Sequence, residues 1–319
     1  MACSVGGVGA LSALPAQART VVAAGWRQLP RRVRLRRWRS VDPFNRAVLA
    51  AGAEPVVTAR MRLGHRLRLD LRSGSEWFAY YTREFDDRRI AAARRLLHAP
   101  RSVAVDAGAN IGLWTVPLAR HLAEFGGHVV AVEPIPANAA RLRENLRLNG
   151  LEVVVDVHEV AVSDRAGTAE LSLREDFRDG AATGNAAIVI ADGTDTAFRT
   201  VVVPTVPLDT LLAGAPRVDF VKADLEGHED RFLAGAAGTL ARCRPVVVCE
   251  WNRVYYARRD IDPTAAVAGL LDSLDYRCLR HTPGGWSVSR DMFSPHPLDD
   301  LVLTPVERVA DVTAVLGPW

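Results

Sequence analysis

The residues best suited to chemistry in this sequence lie where two apolar runs end. The first run is followed by DAGANIG, in which Asp106 precedes two glycines, Gly108 and Gly112, and an apolar, helix-like segment begins at Leu113. A second apolar run ends in Glu133, about twenty residues after the glycine-rich turn. Residues without a Cβ atom allow a sharp strand-to-helix turn and a close backbone approach to a ligand. The layout is typical of doubly wound α/β folds that bind an adenosine-containing cofactor.

The acid at the start of the turn indicates which cofactor the site would take. The spacing from Asp106 to Gly112 differs from the dinucleotide fingerprint G-x-G-x-x-G, and a carboxylate at this place would repel a pyrophosphate. S-adenosylmethionine has no phosphate and carries an ammonium and a sulfonium group, both of which a carboxylate suits. Its own carboxylate can meet the free N–H groups at the start of the helix, and Glu133 can accept hydrogen bonds from the ribose hydroxyls. We therefore predict an S-adenosylmethionine site, with a structural turn that binds nothing as the alternative.

A second group of candidate residues surrounds Lys222, the only lysine in the sequence. It lies in VDFVKADLEGHE, where a further apolar run ends in Asp224. Side chains two residues apart on a strand point to the same face, so Lys222 could hold Asp224 ionised. Asp224 is the first candidate for a general base, followed by Glu226 and by His228, whose ordinary pKa suits that role better. The alternatives are a surface lysine present by chance and acids that only stabilise the start of the next helix.

Charge is unevenly distributed along the chain. Residues 1–41 hold eight arginines and no acid, so removing their charge from the net +3 leaves −5 for the remainder. A mildly acidic body does not favour binding to a phosphate backbone, and no nucleic-acid partner is expected. We expect residues 1–45 to be a flexible basic leader that folding does not require. Weak contact of this leader with an anionic membrane surface, or with an acidic partner, is the alternative.

Composition excludes several classes of protein. The four cysteines are scattered without a C-x-x-C pair, so neither a metal site nor a disulfide framework is predicted, and a cytoplasmic location is expected. No apolar run reaches the roughly 18 residues that span a bilayer. No basic residue precedes the apolar part of residues 1–18, as it would in a secretory signal. Lys222 does not stand in Gly-Lys-Ser/Thr, which excludes a P-loop.

The periodicity of apolar residues predicts an alternating β/α order. A hairpin over 56–71 and a helix over 83–97 precede core strands at 102–106, 128–133, 153–162, 220–224 and 245–250, with helices at 113–124, 136–148, 229–240 and 264–274 and short strands at 276–279 and 301–303. Strands at 168–173 and 200–206 enclose a Gly/Ala-rich loop and form a β insertion before the fourth core strand. We predict an α/β fold with a doubly wound, mainly parallel sheet over 101–310, an N-terminal hairpin and helix packed on it over 46–100, and a tail at 311–319. The strand-end acids Asp106, Glu133, Asp224 and Glu250 would then converge at one edge.

Taken in order, these motifs resemble the FkbM-type S-adenosylmethionine-dependent methyltransferases over residues 55–305. The resemblance is carried by VDAGANIGLWT, by AVEP followed by LRENLRLNG, by HEVAVSDRAGTAEL and by VDFVKADLEGHE. It implies a class I methyltransferase, Rossmann-like fold and methylation of a hydroxyl group, commonly on a sugar or a secondary metabolite. The predicted cofactor-binding residues are Asp106, Gly108, Ala109, Asn110, Gly112, Glu133, Pro134, Val162 and Ser163. The predicted catalytic residues are Asp224, Glu226, His228 and Lys222, and His228 departs from the small residue that the family more often has there.

Two other functions stay open at this point. The first is a nucleic-acid or protein methyltransferase, which could bind an acidic substrate through the arginine-rich leader. Against it, the fourth strand ends in ADLEG and lacks the Asn/Asp-Pro-Pro-aromatic loop of many such enzymes. The second alternative function is that of a scaffold that binds the cofactor without catalysing a reaction. A small-molecule hydroxyl acceptor is the expected partner, and the sequence does not determine the acceptor itself or the oligomeric state.

Overall fold

A mainly parallel sheet of eight strands forms the centre of this computed structural model, which describes residues 8–174, 177, 180–181, 183–189, 193–282, 285–289 and 298–317. Within these residues the strands are β1 (Val56–Arg60), β2 (Arg66–Asp70), β3 (Val103–Ala107), β4 (His128–Val132), β5 (Val155–His158), β6 (Ala161–Val162), β7 (Gly167–Leu173), β8 (Ala186–Ile188), β9 (Arg199–Val206), β10 (Phe220–Ala223), β11 (Val246–Asn252), β12 (Tyr276–Thr282), β13 (Gly285–Val288) and β14 (Leu298–Pro305). The helices are α1 (Val8–Gln28), α2 (Arg31–Arg36), α3 (Asp42–Ala50), α4 (Gly74–Thr82), α5 (Asp87–Leu96), α6 (Thr115–Ala123), α7 (Pro136–Asn149), α8 (Leu208–Leu211), α9 (Glu229–Gly235), α10 (Ala237–Cys243), α11 (Arg253–Arg258), α12 (Thr264–Ser273) and α13 (Val309–Leu316).

The order of the strands places a crevice at the middle of the large sheet. It runs β13-β12-β14-β11-β10-β3-β4-β5, with β11, β10, β3, β4 and β5 parallel and β14 antiparallel to both β11 and β12. The chain builds outward from β3 to β4 and β5, then returns to β10 on the other side of β3. Ligands of open α/β sheets bind at such a switch point, beyond the carboxyl ends of the strands. The predicted doubly wound, Rossmann-like fold is confirmed.

Apolar side chains alternate between the two faces of this sheet. Ala104 and Phe220 belong to one buried cluster, together with side chains of α5, α6 and α7. Val105 and Val221, the next residues on the same strands, belong to a second cluster with side chains of α9, α10 and α12. Because successive strand residues point to opposite faces, this alternation requires helices on both sides. The helix predicted over 229–240 is present but is interrupted at Ala236, between α9 and α10.

The insertion before β10 forms a sheet of its own. Its order is β6-β9-β7-β8, in which β9 pairs parallel with β6 and antiparallel with β7. The strand predicted over 153–162 is therefore two strands, because β5 pairs with β4 in the large sheet whereas β6 pairs with β9. The short strand β8 lies within the segment predicted as a Gly/Ala-rich loop.

The structure of the leader contradicts the prediction that residues 1–45 form a flexible extension. From Val8 onward it forms α1 and α2 and runs into α3, and Ala23 and Val41 are buried in the main core. The ring of Trp38 lies 4.9 Å from that of Trp77 on α4, measured between centroids. Trp38, which stands among the arginines, therefore packs against the body of the protein.

Arginines of the leader also bond inward. Glu84 is only 2% exposed, and its carboxylate accepts hydrogen bonds from Arg31 at 2.6 Å and from Arg34 at 3.0 Å. Arg34 also donates to the carbonyl oxygen of Thr82 at 2.7 Å. A buried carboxylate requires such partners, because it has left the water that solvated it. These long-range pairs attach the leader to the segment after α4.

The chain beyond β14 also differs from the expected tail at 311–319. Residues up to Leu316 form α13, and Val312 and Leu316 are buried in the main core. Arg95 of α5 donates to the carbonyl oxygen of Val315 at 2.6 Å.

The periodicity of the sequence also fails to predict α4, which lies between the hairpin and α5. No helix in the described ranges is long and apolar enough to cross a membrane.

Candidate active site

A cavity of about 230 Å³ opens at the carboxyl ends of β3, β4 and β10. Its walls come from the residues that follow these strands and from β8 of the insertion. Ten of the predicted site residues line it: Gly108, Ala109, Asn110, Glu133, Pro134, Val162, Lys222, Asp224, Glu226 and His228. The other three contact residues of the lining, since Asp106 pairs with Lys222, Gly112 donates to the carbonyl of Ala109, and Ser163 lies against His228.

The turn after β3 is tight because the chain after β10 lies directly against it. Gly108 has a φ of +78°, and a Cβ atom there would lie 2.0 Å from the carbonyl oxygen of Asp224. Only glycine tolerates both that contact and that dihedral angle. The N–H groups of Gly108 and Ala109 donate to the carbonyl oxygen of Val132 at 2.9 and 3.0 Å. The ends of β3, β4 and β10 therefore meet at this one glycine.

Glu133 ties the turn to the end of β4. Its Oε2 accepts from the N–H of Asn110 at 2.8 Å, and its Oε1 accepts from the N–H of Ile135 at 3.0 Å and from Nδ2 of Asn138 at 3.2 Å. Burial raises the pKa of Glu133 to about 7, although these donors act in the opposite direction. A ligand that donates further hydrogen bonds to this carboxylate would favour its charged form.

Lys222 joins the acids at the ends of β3 and β10. Its Nζ lies 3.4 Å from Oδ1 of Asp106 and 3.5 Å from Oδ2 of Asp224, and it donates to the carbonyl oxygen of Gly108 at 2.9 Å. Burial would lower the pKa of Lys222, but Asp224 and Asp106 outweigh burial and raise that pKa above its ordinary value. Asp106 is fully buried and accepts from the hydroxyl of Thr115 at 2.6 Å. The side chain of Asp224 is 37% exposed and faces the cavity.

Glu229 holds the loop after β10 from behind. It is fully buried, and its Oε1 accepts from the N–H groups of Leu225 and Gly227 at 3.0 and 3.2 Å. Its Oε2 accepts from the hydroxyl of Tyr256 at 3.0 Å. Glu229 does not line the cavity, so its contacts make it an anchor for the loop, in addition to its place in the first turn of α9.

Two further acids face the cavity and favour their neutral forms. Burial and the neighbouring Asp224 raise the pKa of Glu226 to about 8. Burial, Asp224 and Glu226 together raise the pKa of Glu250 to about 9. At neutral pH both side chains are mostly protonated, so each can donate a hydrogen bond. Glu226 has a φ of +51° and accepts from Nδ2 of Asn185 at 3.1 Å.

His228 lies beside the end of β6. Its Nε2 is 3.1 Å from the hydroxyl oxygen of Ser163, and its Nδ1 is buried without a hydrogen-bond partner. Burial lowers the pKa of His228 to about 4. The ring is therefore neutral near pH 7 and is a weaker base than an ordinary histidine.

The sequence profile of the Methyltransferase FkbM domain matches residues 106–278, which is more than half of the chain. The chain belongs to the FkbM methyltransferase family. The matched segment begins at Asp106 and contains the FkbM motifs of the turn after β3, of β4 and of β10. A comparison with curated proteins gives no match.

Solved structures similar to this chain include three from bacteria and archaea. FkbM methyltransferase from Methylobacillus flagellatus KT is 20% identical with a TM-score of 0.41, and the match covers 66% of this chain and 45% of that one. TYW2 from M. jannaschii, in complex with AdoMet, is 17% identical with a TM-score of 0.39 over 79% of this chain and 85% of that one. The putative transferase PH0793 from Pyrococcus horikoshii is 14% identical with a TM-score of 0.42 over 91% and 99%. The match thus spans less than half of the Methylobacillus protein.

Sequence reasoning missed the polar residues that the insertion brings to the FkbM site. Asn138 donates to Glu133 and to the carbonyl oxygen of Gly184 at 2.9 Å, and the N–H of Gly184 donates back to Oδ1 of Asn138 at 3.2 Å. Asn185 accepts from Nδ2 of Asn110 at 3.3 Å. Nothing in the local pattern around Gly184 indicates these contacts, because they depend on how the second sheet folds back. Among the described residues, no group of three or more His, Cys, Asp or Glu could hold a metal ion.

Proposed function

We propose that this FkbM domain is an S-adenosylmethionine-dependent methyltransferase that transfers a methyl group to a hydroxyl of a sugar or a secondary metabolite. The arrangement around Lys222 carries the proposal. One of its carboxylate partners, Asp106, is buried and fixes the turn, whereas the other, Asp224, is exposed in the cavity. A carboxylate in that position can accept a proton from an acceptor hydroxyl.

The residues present fit S-adenosylmethionine. Glu133 offers carboxylate oxygens, already oriented by three N–H donors, to the two ribose hydroxyls. Nδ1 of His228, a residue of the cavity lining, is a buried polar atom without a partner, and such an atom is suited to a hydrogen bond with a ligand. The Gly108 turn leaves no room for a side chain, so the ligand meets backbone there. We assign Ala109, Asn110, Pro134 and Val162, which line the same cavity, to the walls of this cofactor site.

The residues around Asp224 have to align the acceptor and receive its proton. S-adenosylmethionine supplies a methyl group on a sulfonium, which a nucleophile displaces in line. With the cofactor bound there, a carboxylate oxygen of Asp224 would take up the proton that the acceptor hydroxyl loses when it is methylated. Lys222, within 3.5 Å, keeps a positive charge beside that carboxylate. Most of the acceleration comes from alignment, which can be worth about 7 kcal/mol or more.

The neutral forms of Glu226 and Glu250 support a polyhydroxylated acceptor. A protonated carboxyl donates one hydrogen bond and accepts others, as sugar hydroxyls require. Asn185 and β8 of the insertion also line this cavity, so an acceptor beside Glu226 would be enclosed by the insertion as well as by the loop after β10. This enclosure favours a small molecule over a nucleic acid or a folded protein.

The proposal is tested in two stages with the purified full chain. Isothermal calorimetry should detect binding of S-adenosylmethionine and of S-adenosylhomocysteine but not of NAD or ATP; tighter binding of NAD would overturn the cofactor assignment. Formation of S-adenosylhomocysteine is then measured with monosaccharides, hydroxylated polyketides, RNA and denatured protein as acceptors. Turnover with a hydroxylated small molecule is expected. Turnover with RNA or protein alone would reject the acceptor class, and binding without turnover on any acceptor would indicate a non-catalytic scaffold.

A further inference from the structure

The charged side chains of α1 point toward the body of the protein. The helix contains two charged residues, Arg19 and Arg27. Arg19 donates to the carbonyl oxygen of Glu54 at 2.7 Å, and Arg27 donates to that of Tyr80 at 2.6 Å. A surface helix of a globular protein normally turns its charges toward solvent and its apolar side chains toward the core. The reversed direction of the charges leaves the outward side of α1 without any.

An apolar stripe occupies that outward side. Leu14, Ala18, Val21 and Gly25 recur every three or four residues and are all exposed, so they lie along one side of α1. Leu14 is 60% exposed and Val21 is 71% exposed. Leu29, which follows α1, and Val33 in α2 are also exposed, at 39% and 40%. These six residues are called the outer stripe below.

Four exposed arginines lie at the end of the outer stripe: Arg32, Arg36, Arg37 and Arg39. They fall within eight residues of the chain, and no acid occurs anywhere in residues 1–41. Arg34, in the same segment, is instead buried against Glu84. The leader thus separates its arginines into a group that attaches it to the body and a group that faces outward.

We propose that the outer stripe and these four arginines dock on an anionic lipid surface, with α1 lying in the plane of the interface. Apolar side chains enter the headgroup boundary, and guanidinium groups pair with anionic headgroups beside them. An apolar side of a helix would also suit a second copy of this chain. Contact of the face with itself, however, would bring two sets of arginines together in a segment that offers no acid to pair them. A lipid surface supplies both the apolar layer and the negative charge.

Vesicle sedimentation tests the proposal on the full-length protein. It should sediment with vesicles of mixed phosphatidylcholine and phosphatidylserine but not with phosphatidylcholine alone, and added salt should release it. The triple variant Arg32→Gln/Arg36→Gln/Arg37→Gln should weaken partitioning roughly 100-fold, since each basic residue near such a surface contributes roughly fivefold. Val21→Glu should weaken it roughly tenfold, because a charge replaces a side chain that enters the interface.

Two matched controls separate docking from general charge and hydrophobicity. Val153 is 91% exposed outside the leader, and Val153→Glu should leave partitioning unchanged. The exposed arginines Arg165, Arg199 and Arg242 give a second triple variant to Gln with the same loss of charge and no expected effect. Equal losses in the control and leader variants would overturn the proposal, as would unchanged binding of Val21→Glu. A self-association in ultracentrifugation that Val21→Glu abolishes, without vesicle binding, would assign the face to a second copy. Calorimetry with S-adenosylmethionine on every variant shows whether the active site is intact.

Discussion

The loops after β3 and after β10 have the same layout, but they place different acids in the cavity. In each, a strand ends near an aspartate, a residue with positive φ follows, and a buried glutamate accepts hydrogen bonds from loop N–H groups. Glu133 holds the first loop from the end of the neighbouring strand, whereas Glu229 holds the second from the helix that follows it. The two loops touch where Gly108 meets the carbonyl of Asp224.

The difference lies in which acid of each pair reaches the cavity. In the first loop the aspartate, Asp106, is fully buried and the anchor, Glu133, lines the cavity. In the second loop the anchor, Glu229, is fully buried and the aspartate, Asp224, lines the cavity. In the proposed function, one loop would offer a hydrogen-bond acceptor to the cofactor and the other would offer a base to the substrate. Burial, rather than spacing in the sequence, thus decides which of these strand-end acids reaches the cavity.

The largest effect should separate the two aspartates. Asp224→Asn keeps the shape of the cavity but removes the basic oxygen, so kcat should fall roughly 10²- to 10⁴-fold with the affinity for S-adenosylmethionine nearly unchanged. Asp106→Asn should instead lower the melting temperature and the cofactor affinity, because the buried Lys222 loses a partner. Calorimetry, thermal unfolding and S-adenosylhomocysteine formation distinguish these results. If Asp224→Asn weakened cofactor binding as much as turnover, Asp224 would be a cofactor ligand and His228 would become the first candidate for the base.

The second-largest effect should come from the contact between the two loops at Gly108. Gly108→Ala places a Cβ atom against the Asp224 carbonyl at a φ of +78°, and should cost about 2–4 kcal/mol of unfolding free energy through strain and overpacking. Gly126→Ala is a control at a similar φ, +65°, with nothing within 4 Å of the added atom. It should cost only about 1 kcal/mol. Equal values in urea unfolding would mean that the dihedral angle, and not the approach of the two loops, makes Gly108 necessary.

Local patterns predict the cofactor side of this site and most of the sheet. Gly108 can be predicted because a turn of this kind requires glycine. Glu133 can be predicted because an acid at the end of the second strand is typical of this fold's ligand site. The pairing of Lys222 with Asp224 follows from the two-residue period of a strand. Sequence alone does not separate Glu229 from Glu226, since both stand near the start of α9 and only the folded loop shows that one of them is enclosed.

Local sequence patterns do not predict how the leader and the insertion pack, because their contacts join residues far apart in the chain or lie in very short strands. Arg34 is one of eight arginines in a basic segment, and its partner Glu84 is 50 residues away. A run of arginines is usually solvated, so a buried member such as Arg34 cannot be recognised before the tertiary contact is known. β8 has three residues, too few for a periodic signal, yet Ala186 and Ile188 line the cavity.

The two anchoring glutamates should respond differently to pH. Burial raises the pKa of both Glu133 and Glu229 to about 7, so each binds a proton more readily in the folded than in the unfolded chain. Stability should therefore fall as pH rises from the ordinary range near 4.5 through 7. In the proposed site only Glu133 would meet the cofactor, and its charged form would accept hydrogen bonds from the ribose hydroxyls. The affinity for S-adenosylmethionine should rise roughly tenfold from pH 6 to pH 8, as the charged fraction of Glu133 does.

Calorimetry at several pH values on two variants checks this difference. Glu133→Gln should bind more weakly and lose the rise in affinity with pH. Glu229→Gln should keep the rise while altering the pH dependence of thermal unfolding, because its carboxylate bonds to the loop and to Tyr256 and does not line the cavity. A flat profile in both variants would show that loop position, and not the charge on Glu133, controls binding.

The smallest effect should come from the residue of the insertion that bridges both loops. Asn185 donates to Glu226 at 3.1 Å and accepts from Asn110 at 3.3 Å, and both hydrogen bonds are exposed to solvent. Exposed bonds of this kind contribute about 1 kcal/mol or less each. Asn185→Ala should therefore lower cofactor affinity by a few-fold and leave the melting temperature unchanged. If it lowered the free energy of unfolding as much as Gly108→Ala does, the insertion would hold the two loops in place. A few-fold effect instead means that the backbone contact at Gly108 positions them and that Asn185 only covers the cavity they form.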